Sequence, residues 1–315
     1  MIITHNWLGP VSPQRPKVVM TVGVFDGLHL GHQYLVNKLI ERARVLKVQS
    51  LVLTFDPHPI SVLSPKSDPE ILTTFEQKAE ILAGMGLDHL GRLEFNQSLS
   101  ILSDTDFLVE AVWSRVEPYE FIIGPDFRYG RNAEGHIDQL KKWAKTHKIN
   151  VLPINLQKGQ DLSYSSSHIR GLLKIGLVDS VTTALGRPYR LTGKVVEGAK
   201  RGRSLGFPTA NLGQLTQLIP SPGVYAVRAR LGERSFDGMS SIGHNPTFGS
   251  QYLTVETFIF DFNENIYGQT MEVDFICQMR GMVRFEGPTK LIEQLKSDEM
   301  RARDLLKKNA AKYKR

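Results

Sequence analysis

The chain has 315 residues, of which 41% are hydrophobic and 23% charged, and carries a formal net charge of +7. That length allows two domains, each with a core of its own, and the composition is that of an ordinary globular protein. No apolar run reaches membrane-spanning length, and a single cysteine, Cys277, excludes an internal disulfide framework and any cysteine-cluster zinc site.

Residues 1–17 contain Asn6, Gln14, Arg15 and three prolines, which is not the pattern of a secretory signal, so a cytoplasmic setting is expected. The positive charge is unevenly placed. Residues 1–183 hold 19 basic and 19 acidic side chains, whereas residues 184–315 hold 20 and 13. A basic half can bind nucleic acid through a patch facing the phosphate backbone. It can equally be a solvated terminal helix or a loop for a small polyphosphate, so charge alone does not choose.

In chain order, Val18-Val19-Met20 with Val22 and Val24 forms an apolar run ending in the turn Gly23-Val24-Phe25-Asp26-Gly27-Leu28-His29-Leu30-Gly31-His32. Helical periodicity follows over residues 30–46. A strand, a glycine turn and a helix start bring backbone N–H groups to one point, where a phosphate can bind. His29 and His32 are three apart and share one side of that helix; imidazoles donate to phosphate oxygens, and Gly31 admits a bulky ligand. Alone, H-x-G-H reads as a turn with two exposed histidines. An H-x-x-H metal site lacks a third or fourth ligand.

Ser50 to Phe55 reads as a buried strand ending in Asp56-Pro57-His58-Pro59. Helical patterns over 75–84, 104–115 and 135–147 alternate with strand-like segments at 87–95, 121–123 and 151–154. This alternation predicts a mostly parallel, Rossmann-like sheet, with ligands beyond the carboxyl ends of its strands. The loops at 23–32, 56–59 and 124–130 should therefore meet at one edge. Ser165-Ser166-Ser167-His168-Ile169-Arg170 opens a further helix, either as a plain serine cap or as a phosphate site with Arg170 neutralising charge.

Helical character fades at residues 184–187, which sets the expected domains at 1–184 and 185–315. Strand candidates at 189–196, 223–230, 239–242, 253–260 and 271–277 predict a small antiparallel β-barrel, closed by a helix over 289–308. The stretch Gly198-Ala199-Lys200-Arg201-Gly202-Arg203-Ser204-Leu205-Gly206-Phe207-Pro208-Thr209-Ala210-Asn211 is rich in glycine and cations but is not a Walker P-loop. Thr209 and Asn211, two apart on an extended segment, turn hard oxygens the same way and suit Mg²⁺.

These motifs resemble the bacterial bifunctional riboflavin kinase/FMN adenylyltransferase (FAD synthetase) family over nearly the whole chain. The 21–32 stretch is similar to the nucleotidylyltransferase G-x-F-D-x-x-H-x-G-H signature, and Thr54 to Pro59 and Ser165 to Arg170 are similar to the family's T-F-[ED]-P-H-P and S-S-[ST]-x-I-R motifs. Gly206-Phe207-Pro208-Thr209-Ala210-Asn211, Ser241-Ile242-Gly243-His244-Asn245-Pro246-Thr247-Phe248 and the run from Glu256 to Gly268 resemble its kinase elements.

The resemblance implies an enzyme that phosphorylates riboflavin to FMN with ATP, releasing ADP, and then adenylylates FMN to FAD, releasing pyrophosphate. ATP is the co-substrate and Mg²⁺ the cofactor. In the first half it implies catalytic His29 and His32, with ATP held by Gly23, Phe25, Asp26, Gly31, Ser166, Ser167 and Arg170, and flavin by His58 and Asp126. In the second it implies Glu256 as general base, ATP at Gly198, Gly206, Pro208 and Asn245, and metal at Thr209 and Asn211. No nucleic acid or membrane partner is implied, and the oligomeric state stays open. Two positions depart from the pattern: Phe258 stands where the family often has His, and Met282 where it has an acidic residue. Competing readings are an adenylyltransferase whose barrel only binds flavin, and a barrel that binds nucleic acid.

Overall fold

A computed structural model describes residues 1–10, 14–64, 70–154, 165–198, 201–244 and 253–309. It divides into two compact units, Met1–Ser163 and Tyr164–Arg315.

The first unit runs β1 (Ile2–Thr4), β2 (Lys17–Gly23), α1 (Leu30–Leu46), β3 (Gln49–Phe55), α2 (Pro59–Leu63), α3 (Phe75–Gly84), β4 (His89–Leu93), α4 (Gln97–Ser100), α5 (Asp104–Phe107), β5 (Glu117–Ile123), α6 (Ile137–Thr146) and β6 (Asn150–Pro153). Its sheet has the order β1-β4-β3-β2-β5-β6, and every pairing is parallel.

β2 is central and buried on both faces. Val18, Met20 and Val22 pack with Leu51, Leu53, Phe121 and Ile123 on one side. Val19 packs on the other with Val52, Ile122 and the α1 residues Leu35, Val36 and Leu39. This is why the sequence reads as a continuous apolar run rather than an alternating one. From β2 the chain winds outwards through β3 and β4, then returns to the opposite side as β5. The switch in direction lies between β2 and β5, where open α/β sheets form their ligand crevice. Arg42 of α1 braces this junction by a bidentate pair with buried Glu120 of β5, at 2.7 and 2.8 Å.

Three local features differ from expectation. β1 adds a parallel edge to β4, from an opening segment too short to show periodicity. The helix expected over 104–115 is α5 followed by a π-helical turn, Leu108–Trp113, with Ser114 N–H donating to the Val109 carbonyl. The strand expected over 87–95 is confined to His89–Leu93.

The second unit contains α7 (Ser166–Lys174), α8 (Val178–Leu185), β7 (Tyr189–Val196), α9 (Arg201–Ser204), β8 (Ala210–Gly213), β9 (Gly223–Leu231), β10 (Arg234–His244), β11 (Leu253–Ile259), β12 (Thr270–Arg280) and α10 (Pro288–Asn309). Six antiparallel strands close a barrel in the order β10-β11-β8-β7-β12-β9. β12 carries register shifts between Phe275 and Cys277 and between Gln278 and Arg280, which bend the strand as closure requires.

β8 was legible in the sequence only as an extended segment. α7 and α8 group with the barrel, and Ser221 N–H donates to the Leu173 carbonyl at 3.0 Å. The compact division thus precedes the change of pattern at 184–187. α10 is anchored to the barrel by Arg280 of β12, whose guanidinium grips buried Asp298 at 2.7–3.1 Å. Gln294 donates to the same carboxylate at 2.9 Å.

Candidate functional site

In the first unit the loop leaving β2 makes a tight turn. Phe25 (φ 50°), Gly27 (φ 80°) and Leu28 (φ 41°) all adopt left-handed backbone. For Phe25 and Leu28 this costs about 1–3 kcal/mol each, a strain that persists only where surrounding contacts enforce it.

Those contacts are present. The buried Asp26 carboxylate accepts from the N–H groups of Leu72 at 2.9 Å and Thr73 at 3.1 Å, and Gly27 N–H donates to the Thr73 hydroxyl at 2.9 Å. The Val24 carbonyl accepts from the Thr54 hydroxyl at 3.0 Å and from the Lys78 ammonium at 2.9 Å. Asp26, expected at the nucleotide, therefore shapes the turn from within. Gly23 ends β2 beside Thr54.

The turn delivers α1 with His29 as its N-cap. His29 Nδ1 accepts from His32 N–H at 3.4 Å, so its ring proton lies on Nε2. The two imidazoles stack at 3.7 Å between centroids, and the Phe25 ring meets His32 edge-on at 5.2 Å. His32 is pushed down to about 3, first by burial and then by His29 and Lys78. It is neutral at pH 7, and its buried Nδ1 has no partner among the described residues. Gly31 lies in the first turn of α1, where amides have no intrahelical acceptor. Two stacked imidazoles and a helix start are thereby gathered at the β2 end of the switch point.

The neighbouring loops supply further groups. His58 caps α2, Nδ1 accepting from Ile60 N–H at 3.2 Å. Asp56, before it, pairs with Arg92 of β4. Asp126 is exposed on the loop after β5. Ser166, Ser167 and Arg170 fall on α7 in the second unit, where the cap is Ser165, accepting from His168 N–H at 3.1 Å. Ser166 and Ser167 are thus not the N-cap.

In the barrel, Glu256 of β11 lies directly across from Asn211 of β8, so both project from the same face. Thr209 donates its hydroxyl to Glu256 Oε2 at 3.2 Å. Gly198 sits so close to Asn211 that a Cβ there would collide with the side-chain amide, and a Cβ at Gly202 would collide with the Phe207 carbonyl. Gly198 thus packs against Asn211, and Gly202 against Phe207 and Thr209. A cleft of about 360 Å³ opens beside them, lined by Arg203, Pro208, Thr209, Thr257, Asn265 and Tyr267 among others. A hydroxyl, an amide oxygen and a carboxylate under a glycine cover make a donor set that fits Mg²⁺.

Gly206 takes φ 85° at the end of the loop. Asn245 lies outside the described residues. Phe258 packs against Phe207 and Phe260 at 5.2 and 5.6 Å, and Met282 lies over Ser241 and beside Gly243. Sequence reasoning missed Lys78, whose burial no local pattern signals, and the lining role of Arg203.

Comparison with known proteins covers both units. The family model described as FAD synthetase matches residues 11–168, and the one described as riboflavin kinase matches residues 185–306. A bifunctional riboflavin kinase/FMN adenylyltransferase of Listeria monocytogenes is 38% identical over 90% of this chain and 91% of its own. Those of Bacillus subtilis and Escherichia coli K12 are 32% and 30% identical over 93% of this chain and 93% and 94% of theirs. A crystal structure described as a macrolide-efflux protein from Streptococcus pneumoniae superposes with a TM-score of 0.83 at 29% identity, covering 96% of this chain and 98% of that one. Among the described residues no helix is long and apolar enough to cross a membrane.

Proposed function

Because the chain belongs to the bifunctional riboflavin kinase/FMN adenylyltransferase family, we propose that its two units divide the chemistry between the turn at 23–32 and the Glu256 face of the barrel. The enzyme phosphorylates riboflavin to FMN with ATP and adenylylates FMN to FAD.

In the kinase unit Glu256 takes the proton from the ribityl 5′-hydroxyl as that oxygen attacks the γ-phosphorus of ATP, and ADP leaves. Arg203 and Pro208 contact the nucleotide in the cleft, with Gly198 and Gly206 shaping the loop over its phosphates. Asn245 is assigned to this nucleotide by its motif alone. Thr209 and Asn211 would hold Mg²⁺, which when bound neutralises charge on the transferring phosphates.

In the adenylyltransferase unit the FMN phosphate attacks the α-phosphorus of a second ATP and pyrophosphate leaves. His29 and His32 donate a ring N–H to the phosphate oxygens, and the amide at Gly31 adds helix-dipole stabilisation. Ser166, Ser167 and Arg170 are assigned to the leaving pyrophosphate, and His58 and Asp126 to the flavin nucleotide, on the strength of their motifs. A cytoplasmic setting, where ATP and Mg²⁺ are at hand, suits both reactions.

The observation that carries two activities rather than one is Glu256 opposite Asn211 and within hydrogen-bond reach of Thr209. A barrel that only bound flavin would not require that carboxylate beside those oxygens. By-product analysis tests this. Riboflavin with ATP should release both ADP and pyrophosphate, whereas FMN with ATP should release pyrophosphate alone. Pyrophosphate from FMN but no ADP from riboflavin would leave only the adenylyltransferase.

A further inference from the structure

Lys78 of α3 is the one lysine among the described buried polar residues, at 4% exposure. We propose that Lys78 is a positioning residue for adenylyl transfer, its ammonium fixing the Val24 carbonyl at the foot of the 23–32 turn and setting a positive charge near His32. This rests on the assignment of His29 and His32 to the phosphates.

A buried ammonium is costly, and an apolar side chain of the same length would avoid that cost. Satisfying Val24 does not explain it, because the Thr54 hydroxyl already donates to the same carbonyl. Of the carboxylates that attract it, Asp56 is paired with Arg92, whereas Asp26 accepts from the uncharged Leu72 and Thr73 amides, so the ammonium also balances charge inside the turn. Burial lowers the affinity of Lys78 for its proton, while Asp26 and Asp56 oppose that shift.

Its location carries the rest. The ammonium holds the carbonyl that precedes left-handed Phe25, and its charge adds to burial and His29 in disfavouring the imidazolium of His32. It adds to the burial that already keeps His32 neutral, and it places a cation near where a triphosphate would meet α1, with no reorganisation needed on binding.

The test uses the full chain with Lys78→Met, which removes charge and hydrogen bond, and Lys78→Gln, which keeps a donor without charge. Adenylylation of FMN is followed against pH beside riboflavin phosphorylation, thermal unfolding and the NMR titration of His32. Both variants should lower kcat/KM for adenylylation by about tenfold to a hundredfold, raise the His32 pKa and leave phosphorylation unchanged, with a melting temperature equal to or above the parent's. Adenylylation at the parental rate in either variant would overturn the proposal. So would a loss that only tracks a lower melting temperature while the His32 titration stays put. His32→Ala, run alongside, separates the two levels. If it spares FAD formation, the site assignment falls and Lys78 with it; if it abolishes FAD formation while the Lys78 variants remain active, the Lys78 proposal falls alone.

Discussion

The Thr209 hydroxyl donates to Glu256 Oε2 across the β8–β11 edge of the barrel, at 3.2 Å. The bond joins the hydroxyl proposed to hold Mg²⁺ to the carboxylate proposed as general base. Glu256→Gln keeps the shape and the hydrogen bond but cannot take a proton. It should lower kcat for riboflavin phosphorylation about 10²–10⁴-fold with little change in KM for ATP, read by steady-state ADP release.

A second expectation concerns the loop above that pair. Gly198→Ala would drive a methyl group into the Asn211 amide. The backbone at Gly198 must shift or Asn211 must turn away, and either disturbs the oxygen set. Riboflavin phosphorylation should fall and its Mg²⁺ requirement rise, while FAD formation from supplied FMN holds. Gly206→Ala, whose Cβ meets open space but whose φ is 85°, should act through backbone strain and cost about 1 kcal/mol of stability.

His32 makes the first unit acid-sensitive. Its folded pKa, about 3, lies below the ordinary 6.5, so between those values the unfolded chain binds a proton that the folded chain refuses. Stability is therefore full above pH 6.5, declines as pH falls through that window and levels off below about 3. His32→Asn should flatten this part of the stability–pH curve, measured by urea unfolding of the first unit's tryptophans, Trp7, Trp113 and Trp143.

Asp298 receives Arg280 and Gln294 while buried at 3% exposure. Asp298→Ala strands the Arg280 guanidinium and should destabilise the barrel by about 3 kcal/mol. Calorimetry should show the second unit melting earlier, with adenylylation of FMN retained below that transition.

How much of this was legible beforehand depended on the range of the interactions. α1 was readable to its ends because Leu35, Val36, Leu39, Ile40 and Ala43 mark one face. β2 was readable because a doubly buried strand is apolar throughout. His29 and His32, and Thr209 and Asn211, could be singled out because each pair lies within a few residues, although H-x-G-H by itself reads as a plain turn. By contrast, Glu256 alone reads as a surface residue on an alternating strand; its partners, Thr209 and Asn211, come from 47 and 45 positions earlier, and only the family motif marked it. Lys78 was invisible for the same reason. Its acceptor, Val24, and its counter-charges, Asp26 and Asp56, reach it through sheet and turn geometry. β1 and β8 are too short to carry a period, and the left-handed backbone at Phe25 follows from the Asp26 and Thr73 contacts rather than from any local preference.

The central claim is that two independent sites act in sequence on one chain. A chromatographic time course with riboflavin, ATP and Mg²⁺, resolving FMN from FAD, tests it most directly. The parent enzyme should make FMN first and FAD after it; Glu256→Ala should stop FMN while still converting supplied FMN, and His32→Ala should accumulate FMN without FAD. Loss of both products in either variant, or FAD only when FMN is supplied to the parent enzyme, would contradict it.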